Sequence, residues 1–279
     1  NLHRQFLKLI VLKEHIQILK TFEELALNQL ENNSATMVDV LKIRMEKNEL
    51  SNKLSTVLAQ LKAKQIAFNL ILNREEHLSV NIPKNIQILD TALVFQKELI
   101  SENPQLLKLD NLQSALEKSE LATKKAGLPT IGFGLDYVFV ENRAVENLVE
   151  NGKDIIMPMV SVFIPIFNKK YQSQSKQNDL EQQEITAQKQ ERLNMLETLL
   201  SNAINKRISA RISYATQTKN LKQAKDAEDI LIKSYETGTI DFNDVLDIQE
   251  LQLKFHMNQI ESIRTYYVQS TIINYLTQQ

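Results

Sequence analysis

The sequence predicts a mostly α-helical protein of very long coiled-coil hairpins in two repeats, with one β-hairpin of the length that membrane β-barrels use. Three observations carry this prediction. Glycine and proline are scarce, five of each in 279 residues, where roughly 12 % of an ordinary chain is one or the other. A fold of many short elements needs those residues at its turns. Apolar residues recur in alternating threes and fours over long stretches, and a turn motif near the start of the chain returns near its end.

Composition removes several function classes. The chain carries 33 Lys+Arg against 34 Asp+Glu, a net charge of −1, so it has no electrostatic footprint for nucleic acid or an anionic membrane surface. The absence of cysteine excludes disulfides and thiolate chemistry. No uncharged apolar run approaches the roughly 18 residues of a membrane-spanning helix; the longest candidate, 155–167, is interrupted by Pro158 and Pro165. No nucleophile–base pair, phosphate loop or His/Cys metal cluster stands out, so neither enzymatic activity nor a cofactor is expected. Residues 1–10 have the charge spacing of a helix interior rather than a signal peptide, and the chain is expected to start part-way through a longer protein.

The elements follow in order. Over 40–71 a seam runs through Val40, Ile43, Leu50, Leu54, Val57, Leu61, Phe68 and Ile71, with Lys47 and Lys64 its only polar members. A 3.5-residue repeat keeps one face towards a partner helix. Residues 32–36 interrupt the helical pattern before this seam. Thr36, followed three residues later by Asp39, is an N-cap with an acidic N3 residue, and Asn33 suits a left-handed helix end. Residues 85–101 and 105–126 read as two shorter helices split at Pro104. In 131–140, large apolar Ile131, Phe133, Leu135, Tyr137 and Phe139 alternate with Gly132, Gly134 and Asp136, the pattern of a strand with one apolar face. Ten such positions match a strand that crosses a membrane in a barrel. A charged loop over 141–154 leads to a second strand over 155–167. A soluble flap is the alternative, but a two-stranded hairpin is marginal alone and its apolar face would need cover.

Residues 168–237 then contain 70 positions without glycine or proline, a helix of about 100 Å if unbroken. Its seam is Leu193, Leu196, Leu200, Ala203, Ala210, Tyr214, Leu221, Ala224 and Leu231. The turn 237–241 repeats the first: Gly238 offers the left-handed end, and Asp241 is followed by Asp244. At a shift of 205 positions Thr36 meets Asp241, and Asp39-Val40-Leu41 meets Asp244-Val245-Leu246. The chain thus holds two helical hairpins of one design, a duplicated domain rather than a solenoid. Residues 1–82 are expected to be the second half of repeat one. Residues 83–279 form repeat two, comprising short helices over 85–126, the β-hairpin 131–167 and the long hairpin 168–279.

These features resemble the TolC-type outer membrane efflux proteins over nearly the whole chain. The most specific parts are Tyr235-Glu236-Thr237-Gly238-Thr239 followed by Asp244-Val245-Leu246-Asp247, and Pro165-Ile166-Phe167 opening a long helix after a strand. The junction continuing through Asn168-Lys169-Lys170-Tyr171 resembles the cation or metal efflux branch. The resemblance implies a homotrimer that closes one β-barrel in outer membrane lipid and one helical tunnel across the periplasm. It also implies a periplasmic adaptor (membrane fusion) protein and an inner-membrane pump as partners. The first repeat's strand hairpin is missing here, and two strands per chain would give about six per trimer, below the roughly eight of the smallest such barrels; the chain is therefore expected to be N-terminally truncated.

The resemblance further assigns Asp244 and Asp247 to a periplasmic gate. Capping accounts for Asp244 and poorly for Asp247, and repeat one has Lys42 where Asp247 stands. The turns, with Asn33, Ser34, Thr36, Gly238, Thr239 and Asp241, are expected to contact the adaptor. Ile131, Phe133, Leu135, Tyr137 and Phe139 are expected to form the membrane face. Met157, Met159, Met257 and His256 offer soft or borderline metal ligands, but strand and helix packing explains them; His3, His15 and His77 have no partner at ligand spacing. The leading function is the outer membrane channel subunit of a tripartite efflux or type I secretion system. The alternatives are a helical pore-forming toxin with an apolar β-hairpin tongue, or a soluble coiled-coil scaffold.

Overall fold

A computed structural model describes the chain except residues 33, 34, 85, 87, 89–96, 145–151, 238, 278 and 279. The elements are α1 (Leu2–Glu31), α2 (Met37–Ile71), a 3-10 helix (Lys97–Glu102), α3 (Pro104–Ala126), β1 (Thr130–Val138), β2 (Ile155–Phe163), α4 (Lys169–Glu236) and α5 (Phe242–Thr277). They fall into two compact units, one of residues 1–96 and 198–279 and one of residues 97–197. α4 is a single helix of 68 residues, as its freedom from glycine and proline predicts.

In the first unit, helices pair antiparallel. α1 meets α2 through Gln5 and Gln60 (2.7 Å) near one end and Glu23 and Arg44 (2.6 Å) nearer the other. α4 meets α5 through Arg207 and Tyr266 (2.7 Å), Ser213 and Ser262 (2.9 Å), and Thr218 and Gln259 (2.8 Å). α1 also lies against α5, where Arg4 pairs with Glu261 at 3.1 Å. Both predicted seams supply the core: Val40, Ile43, Leu50 and Val57 of α2 are buried, as are Leu200, Ala203, Ala210 and Ala224 of α4. Leu12, Leu19, Phe22 and Ala26 of α1 join the α2 residues in one cluster with Tyr235, Phe242 and Val245.

Two stretches depart from the sequence expectation for physical reasons. At the end of α2, Phe68 and Ile71 are exposed, and Asn69 is fully buried in their place. Asn69 Nδ2 donates to the carbonyls of Glu76 (3.0 Å) and Leu78 (2.9 Å), so the returning chain covers a polar anchor rather than the apolar seam. The second strand stops at Phe163, short of the expected 167; Pro165 has no N–H for a ladder. Of the helix expected over 85–101, the described residues include the 3-10 turn Lys97–Glu102, while most of 85–96 lies outside them. The helix expected at 105 starts at Pro104, with Asn103 as its N-cap accepting from Gln105 N (3.1 Å).

In the second unit α3 runs antiparallel to the start of α4. Glu120 accepts from Ser175 Oγ (2.5 Å) and Asn178 Nδ2 (2.9 Å), and Asp110 pairs with Lys189. β1 and β2 form a two-stranded antiparallel sheet in a register that runs from Thr130 opposite Phe163 to Val138 opposite Ile155. In the connecting loop Gly152 has φ +77°, and a Cβ there would collide with the Asn142 side chain.

Candidate functional site

The strand hairpin has two unlike faces. Directly opposed residues of an antiparallel pair project to the same side. One side therefore carries Ile131 with Val162, Phe133 with Val160, Leu135 with Pro158, and Tyr137 with Ile156. Every residue on it is apolar except for the tyrosine hydroxyl. The reverse side mixes Gly132 with Ser161, Gly134 with Met159 and Asp136 with Met157, flanked by Thr130 with Phe163 and Val138 with Ile155. All residues of both strands are exposed. Phe139 lies just beyond β1 and is likewise exposed. Met157 and Met159 thus share the mixed face, apart in sequence from Met257 on α5.

The two helical turns lie side by side. Lys42 Nζ of α2 donates to Asn243 Oδ1 of α5 at 2.7 Å. Phe242 packs edge-on against Phe22 (5.8 Å between ring centroids) and Tyr235 (4.9 Å). The duplication appears in the backbone: Met37 and Phe242, which open α2 and α5, are 205 positions apart, and so are Glu31 and Glu236, which close α1 and α4. The caps differ in detail. Thr36 and Asp39 form a reciprocal capping box: Asp39 N donates to Thr36 Oγ1 (3.3 Å), and Thr36 N donates to Asp39 Oδ2 (2.9 Å). At the second turn Asp241 Oδ1 accepts from Asn243 N (3.1 Å), and Thr239 Oγ1 donates to the Ser234 carbonyl (2.8 Å). Asn33, Ser34 and Gly238 lie outside the described residues.

That difference separates the paired aspartates. Asp39 is buried and spent on its cap, whereas Asp244 and Asp247 are exposed. Asp247 opens onto a groove between α1, α2 and α5 that is also lined by Glu46, Glu49 and Glu250 and by Lys8, Lys53 and Lys254. Burial, with Glu250 and Glu49 nearby, pushes the Glu46 carboxyl up from its usual range.

His15 has no partner at ligand spacing in the sequence, yet its Nε2 lies 3.3 Å from His256 Nδ1 across the α1–α5 contact. The two residues are 241 positions apart, so no spacing signal links them. Met257 lines the neighbouring groove. Among the described residues, no group of three or more His, Asp and Glu side chains is placed to hold a metal ion. No described helix is long and apolar enough to cross a membrane.

The architecture matches solved structures over nearly its full length. CusC, described in connection with transmembrane channel formation, superposes with a TM-score of 0.83 at 13 % identity, covering 99 % of this chain and 65 % of CusC. The outer membrane protein VceC of Vibrio cholerae matches with a TM-score of 0.82 at 15 % identity, covering 99 % of this chain and 67 % of VceC. The outer-membrane channel OprN matches at 0.83 and 13 %, covering 99 % and 63 %. The chain has the outer-membrane channel fold. No protein-family model matches the sequence, and no curated protein does, so structure alone carries the likeness. The chain spans about two thirds of the length of these channels.

Proposed function

We propose that this chain is part of the outer membrane channel subunit of a tripartite efflux or type I secretion system, a conduit with no chemistry of its own. The observation that carries the reading is the strand hairpin: one face is wholly apolar, its residues are exposed, and a 68-residue water-facing helix follows. Lipid accepts backbone only when its polar groups are paired internally, and closed barrels meet that condition for strands. The large apolar residues then face outer membrane lipid, and the glycine-bearing face turns to the lumen. Coiled-coil helices continue the conduit through the periplasm, because each buries a seam and wets its other side.

The duplication supports closure by further copies of the chain in a homotrimer. Leu25 of α1 and Leu246 of α5 pack against the core. Their repeat equivalents, Ile230 of α4 and Leu41 of α2, are 65 % and 47 % exposed. A neighbouring protomer that repeats the α1–α5 contact as an α4–α2 contact covers both. The paired turns, with Asn33, Ser34, Thr36, Gly238, Thr239 and Asp241, are the proposed docking place for the hairpin of a periplasmic adaptor linked to an inner-membrane pump. Asp244 and Asp247, exposed at the start of α5, are proposed as gate carboxylates that symmetry gathers into a ring. The toxin and scaffold readings gain no comparable support, since the fold likeness runs to channels over 99 % of the chain.

Nitroxide labels placed singly at 131 to 139 in the membrane-reconstituted protein test the reading. Oxygen accessibility should peak at 131, 133, 135, 137 and 139, with a water-soluble relaxant favoured at the positions between. A uniform water-exposed profile would rule out a barrel strand.

A further inference from the structure

His15 and His256 meet where the first hairpin touches the second, and His15 stands in the buried α1 stripe between Leu12 and Leu19. His15 is 3 % exposed. Its ring stands edge-on to that of His256, with centroids 5.5 Å apart and planes at 82°. In the neutral state one imidazole N–H can donate to the other ring's bare nitrogen, and that single proton satisfies both atoms. If both rings are charged, both facing nitrogens carry protons and two like charges meet at 3.3 Å. The equivalent positions in the other halves of the repeat hold Asn220 and Ser51, so helix packing of this design does not itself require histidines.

We propose that the His15–His256 pair is an acid-sensitive latch between the two helical hairpins: neutral, it lets α1 lie on α5, and protonated, it drives them apart. This inference rests on the α1–α5 contact and is independent of the conduit reading.

The surrounding charges leave this balance intact. Burial, then the charge of His256, holds His15 down to about 4, while the Gln249 side chain on α5 acts in the opposite direction. Burial also lowers His256, with Glu14 on α1 partly opposing it. α4 presents Glu228, which is occupied by Gln249 and by Gln252 Nε2 at 2.8 Å. α2 brings Glu46, Glu49 and Lys53, together with Lys8, Glu250 and Lys254, to the groove beside Leu12 and Met257. The sign follows from linkage: a histidine held below its free value of 6.5 strengthens the contact above that pH and weakens it progressively below. With His15 held to about 4 by burial and by the charge of His256, protonation at pH 5 loosens the contact about 30-fold.

The chain has no tryptophan or cysteine, so an introduced pair is unique. Gln17→Cys carrying bimane and Lys254→Trp place a fluorophore and its contact quencher at exposed positions on the two helices. Quenching should fall between pH 7.5 and 4.5 with a midpoint below 6. It should stay constant in the same protein bearing His15→Leu and His256→Leu. Quenching retained in the parent to pH 4.5, or the same acid loss in the double variant, would overturn the latch. Imidazole ring signals of the unsubstituted protein give an arm that does not depend on the variant folding. Both rings should titrate below 6, and apparent values at or above 6.5 would overturn it as well.

Discussion

Replacing Phe242 by alanine should loosen the paired turns more than any other single truncation there. Phe242 is 1 % exposed and is the first residue of α5. It holds Phe22 of α1 and Tyr235 of α4 in edge contacts at 5.8 and 4.9 Å, so one side chain joins three helices. Phe→Ala in a core costs about 3–5 kcal/mol through lost transfer energy and the cavity left behind. Each aromatic pair is worth about 0.5–1.5 kcal/mol within such a total. Local opening should therefore become about 10²- to 10⁴-fold more frequent. Hydrogen exchange, under conditions where reclosing is fast and the rate reports the opening equilibrium, reads this directly at the ends of α1 and α4 and the starts of α2 and α5. Phe242→Leu keeps most of the volume and should cost under about 1.5 kcal/mol. An acceleration below about tenfold in the alanine variant would refute the three-helix role. So would an equal acceleration around the Asp110–Lys189 pair, which lies in the other unit.

Two further outcomes concern the same unit. Thr36→Ala removes the acceptor for Asp39 N and should cost about 1 kcal/mol, seen as faster exchange in the first turn of α2, while Thr36→Ser should restore most of it. Glu23 is held below its ordinary carboxylate value first by hydrogen bonds from Lys47 and Arg44. A carboxylate lowered on folding stabilises above its free value and loses that contribution as pH falls through the folded one. Thermal melts should show Glu23→Gln less stable than the parent at neutral pH, the gap closing in acid below the free value of 4.5; the gap stays small because such pairs are partly solvated.

Long-range periodicity made most of this fold legible. α4 follows from 70 residues without a breaker, and the caps at Thr36 and Asp241 set the starts of α2 and α5 because local side-chain-to-backbone bonds act within three residues. The apolar face of β1 was equally plain from alternation. What tertiary contacts decide was not. Asp39 and Asp244 sit in the same Asp-Val-Leu triplet, yet the first is buried in a capping box and the second is exposed. Phe68 and Ile71 continue the seam in sequence, but Asn69 is covered instead by chain that returns through Glu76 and Leu78. The histidine pair depends on how α1 meets α5, which no local pattern encodes.

Ion flow through the full-length protein reconstituted in planar bilayers tests the conduit and its gate most directly. Carboxylate rings favour cations, and oxygen ligands suit hard multivalent ions. Cation-selective conductance should be blocked by multivalent cations added on the side of the paired turns. Asp244→Asn with Asp247→Asn preserves size and removes charge, and it should relieve the block and weaken selectivity without abolishing conductance. Asp39→Asn should change selectivity little, because Asp39 is buried in its cap. No conductance from the parent protein would contradict the conduit, and an unchanged block in the double Asn variant would contradict the gate.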